Sequence, residues 1–260
     1  MNQVVVDQSG WGILRVTGGD RQRFLQGMLS NDVSALDQGG FLRATVLNVK
    51  GRVLAVVDAV LEEDAYLLLT EPVTADKLHT LLDRHAIADD VAFERIVRPV
   101  HRVWRSPAEV WGAPPIFAAP ASPSSEAAVE VRRVEAGLPR YGVDVSEDYF
   151  PFEANLDAAI SMTKGCYIGQ EVVARAHARG HANKRLVGIR LVGEGPVAAG
   201  TPIASATRPD AGKVTSSVQS PELGAIALGY VHKSSWDPGT ELTLGGERRG
   251  TVTGLPFTPA

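Results

Sequence analysis

The sequence predicts an α+β protein that ends in a small β-barrel. Three observations carry that reading. Residues 41–103 hold apolar, strand-like runs around one stretch of helical spacing. Residues 106–128, "SPAEVWGAPPIFAAPASPSSEAA", are rich in Pro, Ala and Ser, and repeated prolines deny the backbone donors that regular structure needs. From Lys184 onward, short β segments follow one another, each bounded by Gly or Pro. That spacing is the mark of a small barrel.

The elements follow in order. Val4 to Val6 and Trp11 to Val16 read as short strands. Asp20 is expected to cap a helix with its carboxylate, and Phe24, Leu25, Met28 and Leu29 give that helix one buried face. Asn31-Asp32 stops it. "FLRATVLNVKGRVLAVVDAVLEEDAYLLLT" reads as three β segments: one up to a hairpin turn at Asn48–Gly51, then Arg52 to Leu61, then Ala65 to Thr70. Thr74 is expected to cap the next helix, with Leu78, Leu81 and Leu82 facing inward. Val91 to Val103 reads as extended, and residues 106–128 as an internal linker. Order returns at Val129 with a strand, a turn at Gly137-Leu138-Pro139, an acidic loop and a short helix from Glu153 to Ile160. "KRLVGIRLVG", "GTPIAS", "GKVTSSV", "AIALGYV", "GTELTL" and "RRGTVTGLPF" then supply the barrel strands.

Composition narrows the function classes. A net charge of −4 leaves no global basic field, so nucleic-acid binding would need a local patch. Cys166 is the single cysteine. It excludes an intramolecular disulfide and, within one chain, a four-thiolate cluster or a multi-cysteine zinc site; a ligand bridging two subunits stays open. The chain reads as intracellular. "MNQVVVDQSGWGILRVTGGD" has neither the basic and apolar regions of a signal peptide nor the Arg/Ser richness of a transit peptide. No apolar run approaches the ~20 residues of a membrane helix. The expected compartment is the cytoplasm, with no membrane partner.

Few stretches carry chemistry. In "KGCYIGQE", Lys164 to Glu171, the lone cysteine is ringed by Gly, Lys and Glu. Cys166 is either a small buried filler or an accessible thiolate favoured by Lys164. Arg175, His177, Arg179, His181, Lys184 and Arg185 form a basic run, either plain surface or a site for an anionic ligand or RNA phosphates. The His177–His181 spacing suits a metal, but Gly180 interrupts the helix and no HExxH-type partner exists, so no metal site is expected. Glu135 in "VEAGLPRYG" is either an exposed strand-end charge or a carboxylate accepting two N–H groups from a nitrogen heterocycle. "GGDRQRF" and "VKGRV" match neither dinucleotide nor P-loop patterns, and no GxSxG elbow occurs.

These segments together resemble a known family. "KGCYIGQE" is similar to the K-G-C-[FY]-x-G-Q-E signature of the YgfZ-type folate-binding proteins, relatives of the glycine-cleavage T-protein, an aminomethyltransferase. "FLQGMLSNDV" resembles the family's first-helix segment, and "VEAGLPRYGVDVSEDYFPFEANL" the E-A-G-x-x-x-Y-G-x-D…P-x-E segment of both branches. "NKRLVGIRL", "GKVTSSVQSP" and "ALGYV" are similar to the C-terminal barrel, while the match lapses over 106–128. The resemblance implies a three-lobed aminomethyltransferase-like fold around a channel for tetrahydrofolate. The folate-binding body would be residues 1–183: a discontinuous first lobe (about 1–40 and 129–183), a ferredoxin-like lobe (about 41–105) and the linker 106–128. The barrel would be residues 184–260.

The resemblance also implies roles. Glu135 would meet the pterin, and Lys164 stands where the T-protein branch has an arginine near the folate. Tyr141 and Gln170 would join them. Cys166 would be the reactive or ligating thiol at the channel mouth. Arg175, Arg179, Lys184 and Arg185 would dock a partner or RNA. One departure stands out: the aminomethyltransferases carry a catalytic aspartate after a G-G-[IV]-x-D hairpin, where this chain has Gly51-Arg52-Val53-Leu54-Ala55-Val56. Asp58 lies further along. The implied function is a tetrahydrofolate-dependent accessory factor in iron–sulfur cluster assembly or maintenance, partnered by iron–sulfur proteins or assembly factors. The alternatives are a tetrahydrofolate-dependent aminomethyl or other one-carbon transferase, and an RNA-linked factor in tRNA modification.

Overall fold

The computed structural model describes residues 3–178 and 182–259. The first half runs β1 (Val4–Asp7), β2 (Gly12–Thr17), α1 (Arg21–Met28), β3 (Phe41–Leu47), β4 (Val53–Leu61), β5 (Tyr66–Thr70), α2 (Pro72–His85), β6 (Ala92–Ile96) and β7 (His101–Trp104). Helices α3 (Glu126–Glu135) and α4 (Gln170–Ala178) follow. The remainder is β8 (Lys184–Leu191), β9 (Pro202–Ser205), β10 (Arg208–Ser220), β11 (Gly224–His232), β12 (Glu241–Leu244) and β13 (Arg248–Thr253). Among the described residues no helix is long and apolar enough to cross a membrane.

Strands β2 to β6 form one antiparallel sheet in the order β3-β4-β5-β2-β6. The stretch β6-β2-β5-β4 has the split βαβ order of a ferredoxin-like unit, and β3 extends its edge. Alternation explains the layering. Leu14, Val16, Ala44, Val46, Val57 and Leu68 point to one face, where Phe24, Leu25 and Met28 of α1 and Leu78 and Leu82 of α2 cover them. Ile13, Val60, Leu67 and Leu69 point to the other face and meet Val100. The sheet begins at β2, so the ferredoxin-like lobe does not start at residue 41 as expected: β2 and α1 belong to it. The stretch read as one extended run, Val91 to Val103, is two strands in different sheets. β6 pairs with β2, and β7 pairs with β1, Val4 opposite Trp104.

The barrel is closed in the order β10-β11-β8-β13-β12-β9. Val187, Ile189, Ile203, Ala227, Leu242 and Val252 fill its interior. The alternate residues Leu186, Ile226, Leu228 and Tyr230 join Val134, Tyr149, Phe152 and Leu156 in the core shared with the body. Period-two patterning thus gives each barrel strand two apolar faces here, one for the barrel and one for the body.

Several local expectations are corrected. Asp20 stands before α1 but makes no side-chain cap; its carboxylate accepts instead from the Asp90 N–H at 2.9 Å. Helix α2 starts at Pro72, two residues before Thr74, because proline suits the first turn, where its missing N–H has no partner to lose. Thr74 is buried in that turn and donates to the Glu71 carbonyl. Leu81 is only partly buried. The predicted strand at Val129 is helix α3. Ser125 caps it, accepting from the Ala128 N–H, so the irregular linker ends before residue 126. The short helix read over Glu153 to Ile160 is two 3-10 turns, Pro151–Ala154 and Asp157–Ala159, parted by left-handed Asn155.

The E-A-G motif acquires a physical meaning from α3. Glu135 is the last helical residue, and Gly137 turns left-handed at φ +67°. Gly137 N–H bonds the Val134 carbonyl and Leu138 N–H the Arg133 carbonyl, which is the Schellman pattern. A Cβ on Gly137 would also stand 2.7 Å from the Leu255 side chain. Gly137→Ala is therefore expected to cost about 1–3 kcal/mol. Urea denaturation with an unchanged m-value checks this; an unaffected midpoint would contradict the cap.

Candidate functional site

The candidate site is a cavity of about 330 Å³ between the five-stranded sheet, the β1–β7 pair and α3. Arg43, Arg102, Arg133 and Arg140 line it together with Asp7 and Glu71, and the first two share a buried carboxylate, Asp58. Arg43 on β3 and Asp58 on β4 are register partners across the hairpin. Arg43 donates from Nε at 2.8 Å and from Nη2 at 3.0 Å to the two Asp58 oxygens. Arg102 on β7 donates to the same carboxylate at 2.6 Å and to Gln8 at 2.8 Å. Burial alone would raise the Asp58 pKa, but Arg43 and Arg102 hold it below the usual carboxylate range. Arg102 is pushed down to about 10, first by burial, with the like charge of Arg43 adding to it. The triad thus leaves a surplus positive charge in the cavity wall.

Two buried donors there have no partner among the described residues: Arg43 Nη1 and Trp104 Nε1. Both residues line the cavity. An unpaired buried donor costs roughly 1–3 kcal/mol, so the pair calls for an acceptor. The opposing group is Glu71, whose Oε1 accepts from the Tyr141 N–H at 3.0 Å. Burial pushes the Glu71 carboxyl up, against the pull of the Tyr141 N–H and of Arg140, Arg133 and Arg43. The cavity therefore offers donors on one wall and a carboxylate on another.

Sequence reasoning pointed elsewhere. Glu135 is buried, not an exposed strand end, and its carboxylate is engaged by Arg132 Nε at 3.1 Å and by the Ser220 hydroxyl at 2.7 Å. Lys164 is also buried. Its Nζ donates to three carbonyls, of Gln26 at 2.9 Å, Leu29 at 2.8 Å and Asn31 at 2.9 Å. It is a cap on the C-terminal end of α1, where exposed carbonyls favour a cation. With its three donors used, Lys164 stands as a capping group and not in a ligand-facing position. Burial pushes its pKa down to about 8, with Asp32 opposing. Tyr141 does border the site: its N–H holds Glu71 and its hydroxyl accepts from Lys77 at 3.2 Å. Gln170 begins α4. Arg43 was missed, Asp58 was noted only as lying beyond the expected catalytic position, and Glu71, Arg102 and Trp104 were missed. A signal existed for the first two, each a lone charge within an otherwise apolar strand of one hairpin.

The octapeptide resolves into parts. Tyr167 is buried in the shared core, and the Ile168 N–H bonds the Gly27 carbonyl. Gly169, at φ +83°, lies so close to the β3–β4 turn that a Cβ would stand 2.6 Å from the Asn48 carbonyl oxygen. Cys166 is exposed, so it is not the buried filler. Of the basic run, three described members have partners. Arg175 pairs with Glu171, and Arg185 with Asp157 at 3.2 Å. Lys184 lies over the Tyr149 ring at 4.2 Å. Arg179 and His181 lie outside the described residues.

Comparison with known proteins agrees with this architecture. Residues 184–258 match the glycine cleavage T-protein C-terminal barrel domain. An aminomethyltransferase of Rubrobacter xylanophilus is 30% identical over 85% of this chain and 50% of its own length. The chain thus spans about half of that relative. A Haemophilus influenzae protein of no stated activity is 30% identical over 66% of this chain and 68% of its own. The crystal structure of glycine cleavage system aminomethyltransferase T from Bartonella henselae superposes with a TM-score of 0.87 over 98% of this chain and 86% of that one, at 21% identity, which shows the fold.

The Lys164 geometry generates a test. Lys164→Met leaves three inward carbonyls without their donor and is expected to cost about 2–4 kcal/mol. Chemical denaturation measures it; a loss below the scatter of surface substitutions would refute the capping role.

Proposed function

The chain belongs to the glycine-cleavage T-protein-like family, and from that premise we propose that it is a tetrahydrofolate-binding accessory factor for iron–sulfur cluster assembly or maintenance, not an aminomethyltransferase. The observation that carries the folate reading is the donor and acceptor set of the central cavity. A reduced pterin presents adjacent N–H donors on its pyrimidine edge and a carbonyl acceptor beside them. Glu71 would take the N–H edge, and the unpaired Arg43 Nη1 and Trp104 Nε1 would take the carbonyl. The indole rings of Trp11 and Trp104, both in the lining, supply apolar surface for a flat ring system. Bound tetrahydrofolate carries one-carbon units on its ring and bridge nitrogens.

Transfer chemistry lacks its carboxylate. Ala55 is buried and apolar at the position implied for the catalytic aspartate, and Val56 beside it is apolar too. Asp58 is no substitute, because both its oxygens are committed to Arg43 and Arg102 and its ionised form is held by them. A carboxylate so held is a poor proton acceptor. The accessory role rests on Cys166. Its neighbours in the octapeptide cap, pack or turn, while its thiol faces solvent, where a partner's cluster or thiol can reach it.

Two experiments test the two halves. Calorimetric titration is expected to give saturable tetrahydrofolate binding that Glu71→Gln weakens by about 1.5–3 kcal/mol, the worth of a charge-assisted hydrogen bond. Binding needs Glu71 ionised, and its carboxyl is raised by burial. Affinity should therefore fall on acidification sooner than for an ordinary carboxylate, and Glu71→Gln should flatten that dependence. No saturable binding would sink the folate assignment. Separately, Cys166→Ala is expected to keep folate affinity and thermal stability but to lose rescue of iron–sulfur enzyme activity in a deletion strain. Full rescue would remove the thiol from the function.

A further inference from the structure

A second cavity, of about 570 Å³, opens at the seam between barrel and body, away from the residues proposed to hold folate. Its charged groups are unequally partnered. Arg208 is neutralised by Asp210, Nε to Oδ1 at 3.1 Å. Asp148 accepts from the Ser146 hydroxyl. Lys184 and Lys213 have neither an ion pair nor a hydrogen-bond acceptor among the described residues.

Lys184 is the telling group. It sits at the start of β8, half buried, and its ammonium contacts aromatic faces: 4.2 Å from the Tyr149 centroid and 5.6 Å from that of Tyr230. Those rings are stacked with centroids 4.0 Å apart, which fixes the floor beneath the ammonium. Burial lowers the Lys184 pKa, and the like charges of Arg52 and Lys213 push the same way, against Glu153 and Asp148. A cation–π contact offsets part of that cost but leaves the ammonium's hydrogen-bonding capacity unspent. The Tyr230 hydroxyl is buried without a partner as well. His232, also in the lining, has Nδ1 occupied by the Ser234 hydroxyl at 3.0 Å and by the Ser234 N–H at 3.2 Å, so Nε2 is its nitrogen without a partner among the described residues.

We propose that this recess is an oxyanion site that takes a phosphoryl group, with Lys184 and Lys213 supplying the charge and the stacked Tyr149–Tyr230 pair setting the position of Lys184. Two point-charge ammoniums with freely turning donors suit a compact dianion better than a planar carboxylate, which a guanidinium fork would serve. The phosphoryl group can belong to a small phosphorylated molecule or to a phosphodiester chain, and the chemistry of recognition is the same.

The test uses the full chain and inorganic pyrophosphate as the probe, with sulfate-free buffer. Titration calorimetry is expected to show saturable binding that Lys184→Met weakens by roughly tenfold, the loss of one charged contact. Lys213→Ala, an exposed substitution, is expected to weaken it as well. Unliganded Lys184→Met should melt no lower than the parent, because the ammonium has no ion pair or hydrogen bond to lose and the cation–π contact is offset by the cost of its burial. Competition by a short single-stranded RNA that depends on Lys184 would assign the phosphoryl group to a phosphodiester chain, and its absence to a small molecule. Unsaturable binding, or equal pyrophosphate affinity in parent and both variants, would overturn the site.

Discussion

Asp58 is the hinge of the arrangement. One carboxylate, buried among apolar strands, is shared by Arg43 from its own sheet and by Arg102 from the two-stranded sheet. Taking three charges out of water is costly, and the cost is recovered only if every lone pair is used and the geometry is tight. That requirement fixes the distance and angle between the two sheets and so fixes the walls of the cavity between them. It also fixes the sign of the site. Within this triad two guanidiniums meet one carboxylate, which leaves one positive charge in excess and one Arg43 N–H without a partner among the described residues, in a wall of the cavity that Glu71 also lines.

A second polar network does for the barrel what Asp58 does for the sheets. Asp144 accepts from Arg133 of α3 at 2.6 Å and from the Thr215 and Ser216 hydroxyls of β10 at 2.5 and 2.8 Å. Glu135, two residues after Arg133 on α3, is held by Arg132 and by Ser220 of the same strand. Helix α3 is therefore pinned to β10 by two buried carboxylates, while Leu186, Ile226 and Leu228 supply the apolar contact. The apolar surface gives adhesion without direction; the carboxylates give register. A glutamate that resembles a ligand group in its motif is, in this geometry, part of the fixing of one lobe on another.

Much of the fold was legible in the residues, because the period-two runs from Phe41 to Thr70 and from Lys184 onward have one physical solution each. What misled was local. "VEVRRVE" alternates like a strand, yet Ser125 and Gly137 bracket it with helix caps, and tertiary contact buries both arginines. The lobe boundary could not be read, since β2 joins the sheet through pairings with β5 and β6 that lie 50 or more residues away in sequence, and α1 packs on the face they build. The site was the least legible part. Arg102 and Trp104 reach it only because β7 crosses to pair with β1, and no spacing rule announces such a crossing. Glu71 is an N-cap residue whose carboxylate turns toward Tyr141, 70 positions on.

The octapeptide shows how a signature divides between fold and function. Lys164 closes α1, Tyr167 fills the core, Gly169 lets two turns touch, and Glu171 answers Arg175. These duties are enough to constrain the motif without any ligand. They place Cys166 in a stiff loop anchored on both sides, with the thiol outward. A thiol on a flexible tail would pay an ordering cost on every encounter with a partner, whereas one held between a buried lysine and a buried tyrosine does not. The motif's structural residues are thus best understood as the mount for its exposed thiol, which is not among the residues that line the central cavity.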